Sequence, residues 1–112
     1  MAAGDWKEML YASQTGDLEL LKYHIQRGVN PNYQHPELLT TPLIESIENK
    51  HVEITKFLLE NGANPHLKAG FSNDTPLKVA QLQKNDAAIK LLKPYYKSFF
   101  QSLLFWKKEK KQ

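Results

Sequence analysis

The sequence predicts an all-α solenoid: about three stacked helix–turn–helix repeats, hairpin-like finger loops between them, and an additional C-terminal helix. Three observations predict it. Identical residues recur 34 positions apart, as in Gly28 and Gly62, Asn30 and Asn64, Pro31 and Pro65, then Thr41 and Thr75, Pro42 and Pro76, Leu43 and Leu77. A period in the low thirties marks a stacked repeat, because helices this short bury their apolar faces only against neighbours. Within each period the apolar residues fall at helical spacing, and Gly and Pro punctuate the ends. Residues 1–93 are read as the repeat domain, with repeats at about 5–34, 35–68 and 69–93. Residues 94–112 are read as an amphipathic helix with a basic tail.

The first repeat lacks the Thr-Pro-Leu start and places Lys7, Glu8 and Met9 at the matching positions, as expected of an end cap with a more polar outer side. Its first helix starts at Gly4 or Asp5 with Trp6, Met9, Leu10 and Ala12 on or near the apolar side. Gly16-Asp17 makes the turn. A second helix spans about Leu18 to Arg27 and stops at Gly28. Residues 30–40 then form a finger, in which one of Leu38 and Leu39 tucks against the helices or joins Tyr33 in a contact patch.

In the second repeat Thr41 caps a helix through its hydroxyl and Pro42 takes the first helical position, where its missing N–H costs nothing. Leu43, Ile44 and Ile47 supply the stripe, and the helix stops near Asn49-Lys50. The next begins at His51 or Val52, with Val52, Ile54, Phe57, Leu58 and Leu59 as its apolar face, and Gly62 ends it. A second finger spans residues 64–74 with Phe71 at its tip. The third repeat restarts at Thr75-Pro76-Leu77, with Asp74 adding acidic capping. Its second helix keeps Ile89, Leu91 and Leu92 as a buried face, and Pro94 ends that helix or opens the next.

The stretch TPLIESIENKHVEITKFLLENGANP, residues 41–65, resembles the ankyrin repeat, and the resemblance covers roughly residues 5–93. Two departures stand out. The His that usually follows Thr-Pro-Leu is Ile44 in one repeat and Lys78 in the next, so the linkage between repeats through that imidazole is expected to be missing. The Gly usually found two residues before the Thr is Leu39 in one loop and Asn73 in the other, so those turns are expected to differ from the standard hairpin. The resemblance implies a protein–protein interaction module that binds through a concave surface of fingers and first helices. Carried over by position, its contact residues are Gln14 and Thr15 in the first repeat, and Glu37, Leu38, Thr40, Glu48 and Asn49 in the second. The third repeat adds Phe71, Ser72, Asp74, Leu82 and Gln83.

Composition narrows the chemistry. With 112 residues, 41% of them hydrophobic, the chain fits one ordinary globular domain. Cysteine is absent, which removes disulfides, thiolate metal sites and thiol nucleophiles. The N-terminus lacks the pattern of a signal peptide, no stretch reaches the ~18 apolar residues of a membrane span, and a cytoplasmic location is expected. His24, His35, His51 and His66 form no metal-ligand spacing. The ankyrin resemblance implies a structural hydrogen bond for His51 at the turn into its helix. Glu45 and Glu48 share a helix face without a second catalytic group, and read as solvated. No phosphate loop or nucleophile elbow is present. No enzyme activity, cofactor or metal is therefore expected.

Charge is unevenly spread. Residues 1–92 carry a net −2 and residues 93–112 a net +5. In the tail, Tyr95, Tyr96, Phe99, Phe100, Leu103 and Leu104 form one broad helical stripe, followed by Phe105, Trp106 and a lysine run. Three readings stand for it: a cap on the solenoid's open end, a groove-binding or self-associating helix, or a membrane-surface helix. The chain is accordingly expected as a monomer or weak homo-oligomer. Nucleic acid is not the expected partner, because the repeats are acidic and so few charges at one end give only weak, salt-sensitive attraction.

Overall fold

A computed structural model describes residues 5–96. Six helices are present among them: α1 (Asp5–Thr15), α2 (Leu18–Gln26), α3 (Pro42–Glu48), α4 (Val52–Glu60), α5 (Pro76–Leu82) and α6 (86–96). Within each pair the link is two or three residues, so the chain reverses and the two helices pack against each other. α1 packs on α3 and α3 on α5, while α2 and α4 form a looser outer row.

The helix starts follow from local chemistry. Asp17 accepts from the Leu20 N–H at 3.1 Å, Thr41 from Ile44 at 3.2 Å and Thr75 from Lys78 at 3.2 Å. Each satisfies a backbone donor that the helix itself cannot, worth about 1 kcal/mol. Pro42 and Pro76 occupy the first helical positions, as expected. Helix stops are periodic too. Gly28 and Gly62 have φ of 93° and 100°, and Gly16, Lys50 and Lys84 share a left-handed backbone at one repeat position. Two lysines thus adopt a conformation that glycine takes without strain, at roughly 1–2 kcal/mol each.

The core runs the length of the stack. Met9, Leu21, Ile47, Ile54, Leu58 and Leu92 are fully buried, each contributing roughly 1.5–3 kcal/mol through removal from water. Val52 departs from the expected apolar face and, as the first residue of α4, is 40% exposed. Ile44 is buried, as a residue of the core. Inter-repeat hydrogen bonds come instead from the link between paired helices. His51 Nε2 lies 2.9 Å from the Gln14 carbonyl, and Asn85 Nδ2 donates to the Ile47 carbonyl at 2.9 Å. These two donors sit at the same repeat position. The His51 ring also explains Gly16, where a β-carbon would approach it to 2.9 Å.

The loop turns keep the left-handed step expected of glycine, with Leu39 and Asn73 both at φ 56°. Pro94 neither ends a helix nor opens one, since α6 runs through it to residue 96. Contacts near that end hold it: the Tyr96 hydroxyl donates to the Pro65 carbonyl at 2.6 Å, and the His66 ring lies 4.3 Å from that of Tyr96. The expected C-terminal stripe beyond Tyr96 and the lysine run lie outside the described residues. No helix among the described residues is long and apolar enough to cross a membrane.

Candidate protein-binding surface

The first helices and the fingers present one edge of the stack, and the contact positions implied by the repeat lie along it in register. Glu48 and Leu82 end α3 and α5, and Gln14 is the last residue but one of α1, with Asn49, Gln83 and Thr15 following them, and all six are exposed. They are presented because each short helix buries the side facing its partner and its neighbour, leaving its final turn open.

The fingers add the rest. In the first, residues 30–40, Leu38 is 51% exposed and Leu39 half-buried, so Leu39 is the leucine that tucks in. Leu38 faces α1 across an open groove of about 490 Å³ lined by Trp6, Lys7, Leu10, Tyr11 and Gln14. Tyr33 packs elsewhere, with its ring 5.3 Å from that of Trp6, which also stacks on His35 at 4.8 Å. In the second finger, residues 64–74, Ala69 and Asp74 pair as an antiparallel bridge and Phe71 at the tip is 89% exposed. Ser72 Oγ donates to the Asp74 carboxylate at 2.9 Å. Leu82 is 61% exposed.

One carboxylate gathers several of these residues. Glu45 accepts from Gln14 Nε2 at 2.8 Å and from Thr40 Oγ1 at 2.9 Å. Its backbone carbonyl accepts from Asn49 Nδ2 at 2.8 Å. Glu45 is therefore fixed and half-buried rather than solvated, because its neighbours on α1 and the first finger supply donors. Glu48 reaches solvent, yet burial first and Glu45 second push its carboxyl above the ordinary 4.5. Gln14 and Leu38 thus share a groove, and Gln14 and Thr40 share a carboxylate. Phe71, Ser72 and Asp74 stand apart on their own finger. Thr15 bonds back to the Tyr11 carbonyl at 2.9 Å, and the Glu37 N–H donates to His35 Nδ1 at 3.1 Å.

Tyr11 and Trp6 line the groove although position transfer omitted them. Their signal was helical spacing, since Tyr11 lies three and four residues before Gln14 and Thr15 and so shares their face. Among the described residues no group of three or more His, Cys, Asp or Glu is placed to hold a metal ion. His24, the most buried histidine, is engaged by Glu8 at 2.8 Å.

Comparison with known proteins gives a family. Residues 9–101 match the model for ankyrin repeats in three copies. Two curated relatives illustrate the match. An ankyrin repeat protein of fowlpox virus (strain NVSL) is 32% identical over 63 residues, covering 54% of this chain and 8% of that protein. The human DNA-binding protein RFXANK is 41% identical over 54 residues, covering 48% of this chain and 21% of that protein. The chain thus spans a small part of the length of these relatives.

Proposed function

The chain belongs to the ankyrin-repeat family, whose repeats are generally protein–protein interaction modules, and from that premise we propose that it binds a protein partner through the concave face made by its fingers and first helices. It acts without catalysis. The observation that carries the reading is the exposed ladder along this edge. Gln14, Glu48 and Leu82 recur in register, and apolar Leu38, Phe71 and Leu82 stand in water beside them with no core role. Large side chains held in water on a rigid scaffold are what an interface later buries. The absence of cysteine suits a reducing compartment, and the cytoplasm is the proposed location.

Site-specific photo-crosslinking tests the face directly. A benzophenone side chain placed at position 82 or 71 should cross-link a discrete protein in cells. The same probe at Lys56, exposed on α4, should not. Cross-links from position 56 alone would place the interface on the outer row and end this reading.

A further inference from the structure

The groove between the first finger and α1 has an apolar centre and one acidic flank. Trp6, Leu10, Tyr11 and Leu38 form the centre, and Gln14 lines the groove as well. Gln14 is committed to Glu45 at 2.8 Å, and Thr40 holds the other carboxylate oxygen at 2.9 Å. Both oxygens therefore accept hydrogen bonds, which holds the carboxylate in place. Glu48 stands one turn along α3 from that fixed charge. Exposed Glu37 adjoins Leu38 on the finger.

The other charges lining the groove, Lys7 and Glu8, are of opposite sign to each other. Lys7 Nζ lies 5.6 Å from the Trp6 ring centroid, so a cation is repelled there. Glu8 is occupied by His24 at 2.8 Å. The groove thus carries charges of both signs beside Trp6 and only carboxylates toward Glu45 and Glu48, so a cation is favoured at the Glu45 side.

Resting on the reading that this face binds a protein, we infer that the groove takes a polypeptide segment in which bulky apolar side chains adjoin lysines or arginines. The apolar groups cover Trp6, Tyr11 and Leu38, and the cations lie at Glu45 and Glu48. Lysine or arginine there lies beside two carboxylates, Glu45 held in place by Gln14 and Thr40 and Glu48 open to solvent, while the Tyr11 and Leu38 surfaces leave water.

A labelled synthetic peptide, LLFWKKEKK, has this chemistry in the sequence of residues 103–111 and serves as the probe. Titrated into the full chain and followed by anisotropy, it should bind saturably. The charge-reversed peptide LLFWEEKEE, or high salt, should weaken binding by about tenfold. Glu48→Lys should weaken it at least about fivefold with unchanged circular dichroism, and Glu53→Lys on α4 should leave it intact. Should Glu48→Lys unfold, Glu48→Gln replaces it, with a smaller loss in the same direction. Absence of saturable binding, equal binding of the reversed peptide, or indifference to Glu48 would overturn the inference. A mass that doubles with concentration in the parent chain, but not in Glu48→Lys, would overturn a separate partner in favour of a second copy. If cross-links from positions 71 and 82 persist while the probe fails, the segment chemistry is wrong and the binding face stands.

Discussion

The two fingers occupy the same repeat register, share the left-handed step at Leu39 and Asn73, and are fastened by different means. Side chains reinforce the first, whose backbone also closes where the Leu39 N–H donates to the His35 carbonyl at 2.8 Å. Gln34 Nε2 donates to the Leu39 carbonyl at 2.7 Å and to the Lys68 carbonyl at 3.1 Å, and Trp6 packs on Tyr33 and His35. Backbone holds the second, through the reciprocal Ala69–Asp74 bonds at 3.0 and 3.2 Å, and its tip side chain is left in water. A repeat backbone thus tolerates two fastenings. The second finger, closed by its own backbone bridge and tied to the first where the Gly70 N–H donates to the Leu39 carbonyl at 2.6 Å, leaves its tip residue open to another molecule, whereas the first finger becomes one wall of a groove.

Substitutions separate these two modes, and the largest effect is expected at Trp6. Trp6→Ala removes both ring contacts and a half-buried indole, and should destabilise the chain by about 2–3 kcal/mol in thermal or denaturant melts. Phe71→Ala should stay within about 0.5 kcal/mol. Equal losses at the two positions would erase the distinction. A smaller contrast lies at Gln34 and its counterpart one repeat later, Lys68. Gln34→Ala withdraws a donor shared by two carbonyls and should cost about 1 kcal/mol by urea denaturation, whereas Lys68→Ala should cost almost nothing.

The smallest effect concerns Glu48, on the helix between the fingers. Its carboxyl is raised in the folded chain, by burial and then by Glu45, and ordinary in the unfolded one. The folded state therefore holds that proton more tightly, so stability is greatest below 4.5 and declines as pH rises through the raised value. Glu48→Gln cannot ionise and escapes the decline. Its melting temperature should match the parent near pH 4 and exceed it near pH 7, to about a degree or two. A pH-independent difference would contradict the burial and Glu45 account.

Local chemistry made most of the fold legible. Thr41-Pro42 and Thr75-Pro76 state a cap and a first helical residue outright, and Gly28 and Gly62 state two helix stops. Legibility failed where tertiary context overrides residue type. Lys50, Lys84, Leu39 and Asn73 take left-handed conformations that glycine signals elsewhere, held there by the repeat around them. Val52 looked like core because apolarity is visible in a sequence and burial is not. Glu45 looked solvated because its donors, Gln14 and Thr40, come from other elements. Pro94 read as a break, although a helix anchored through Tyr96 passes through it. Of the proposed face, the repeat positions named the exposed residues at the helix ends and omitted Trp6 and Tyr11, which line the groove opposite Leu38.

The most direct test of the account is partner capture by the Leu38→Asp, Phe71→Asp double variant, compared with the parent chain at matched folding. The account predicts that a partner cross-linked from position 71 or 82 is lost while helicity and melting temperature stay nearly unchanged, because both leucine and phenylalanine side chains already stand in water. Undiminished capture by the folded variant would contradict it, and unfolding would show that these side chains belong to the core.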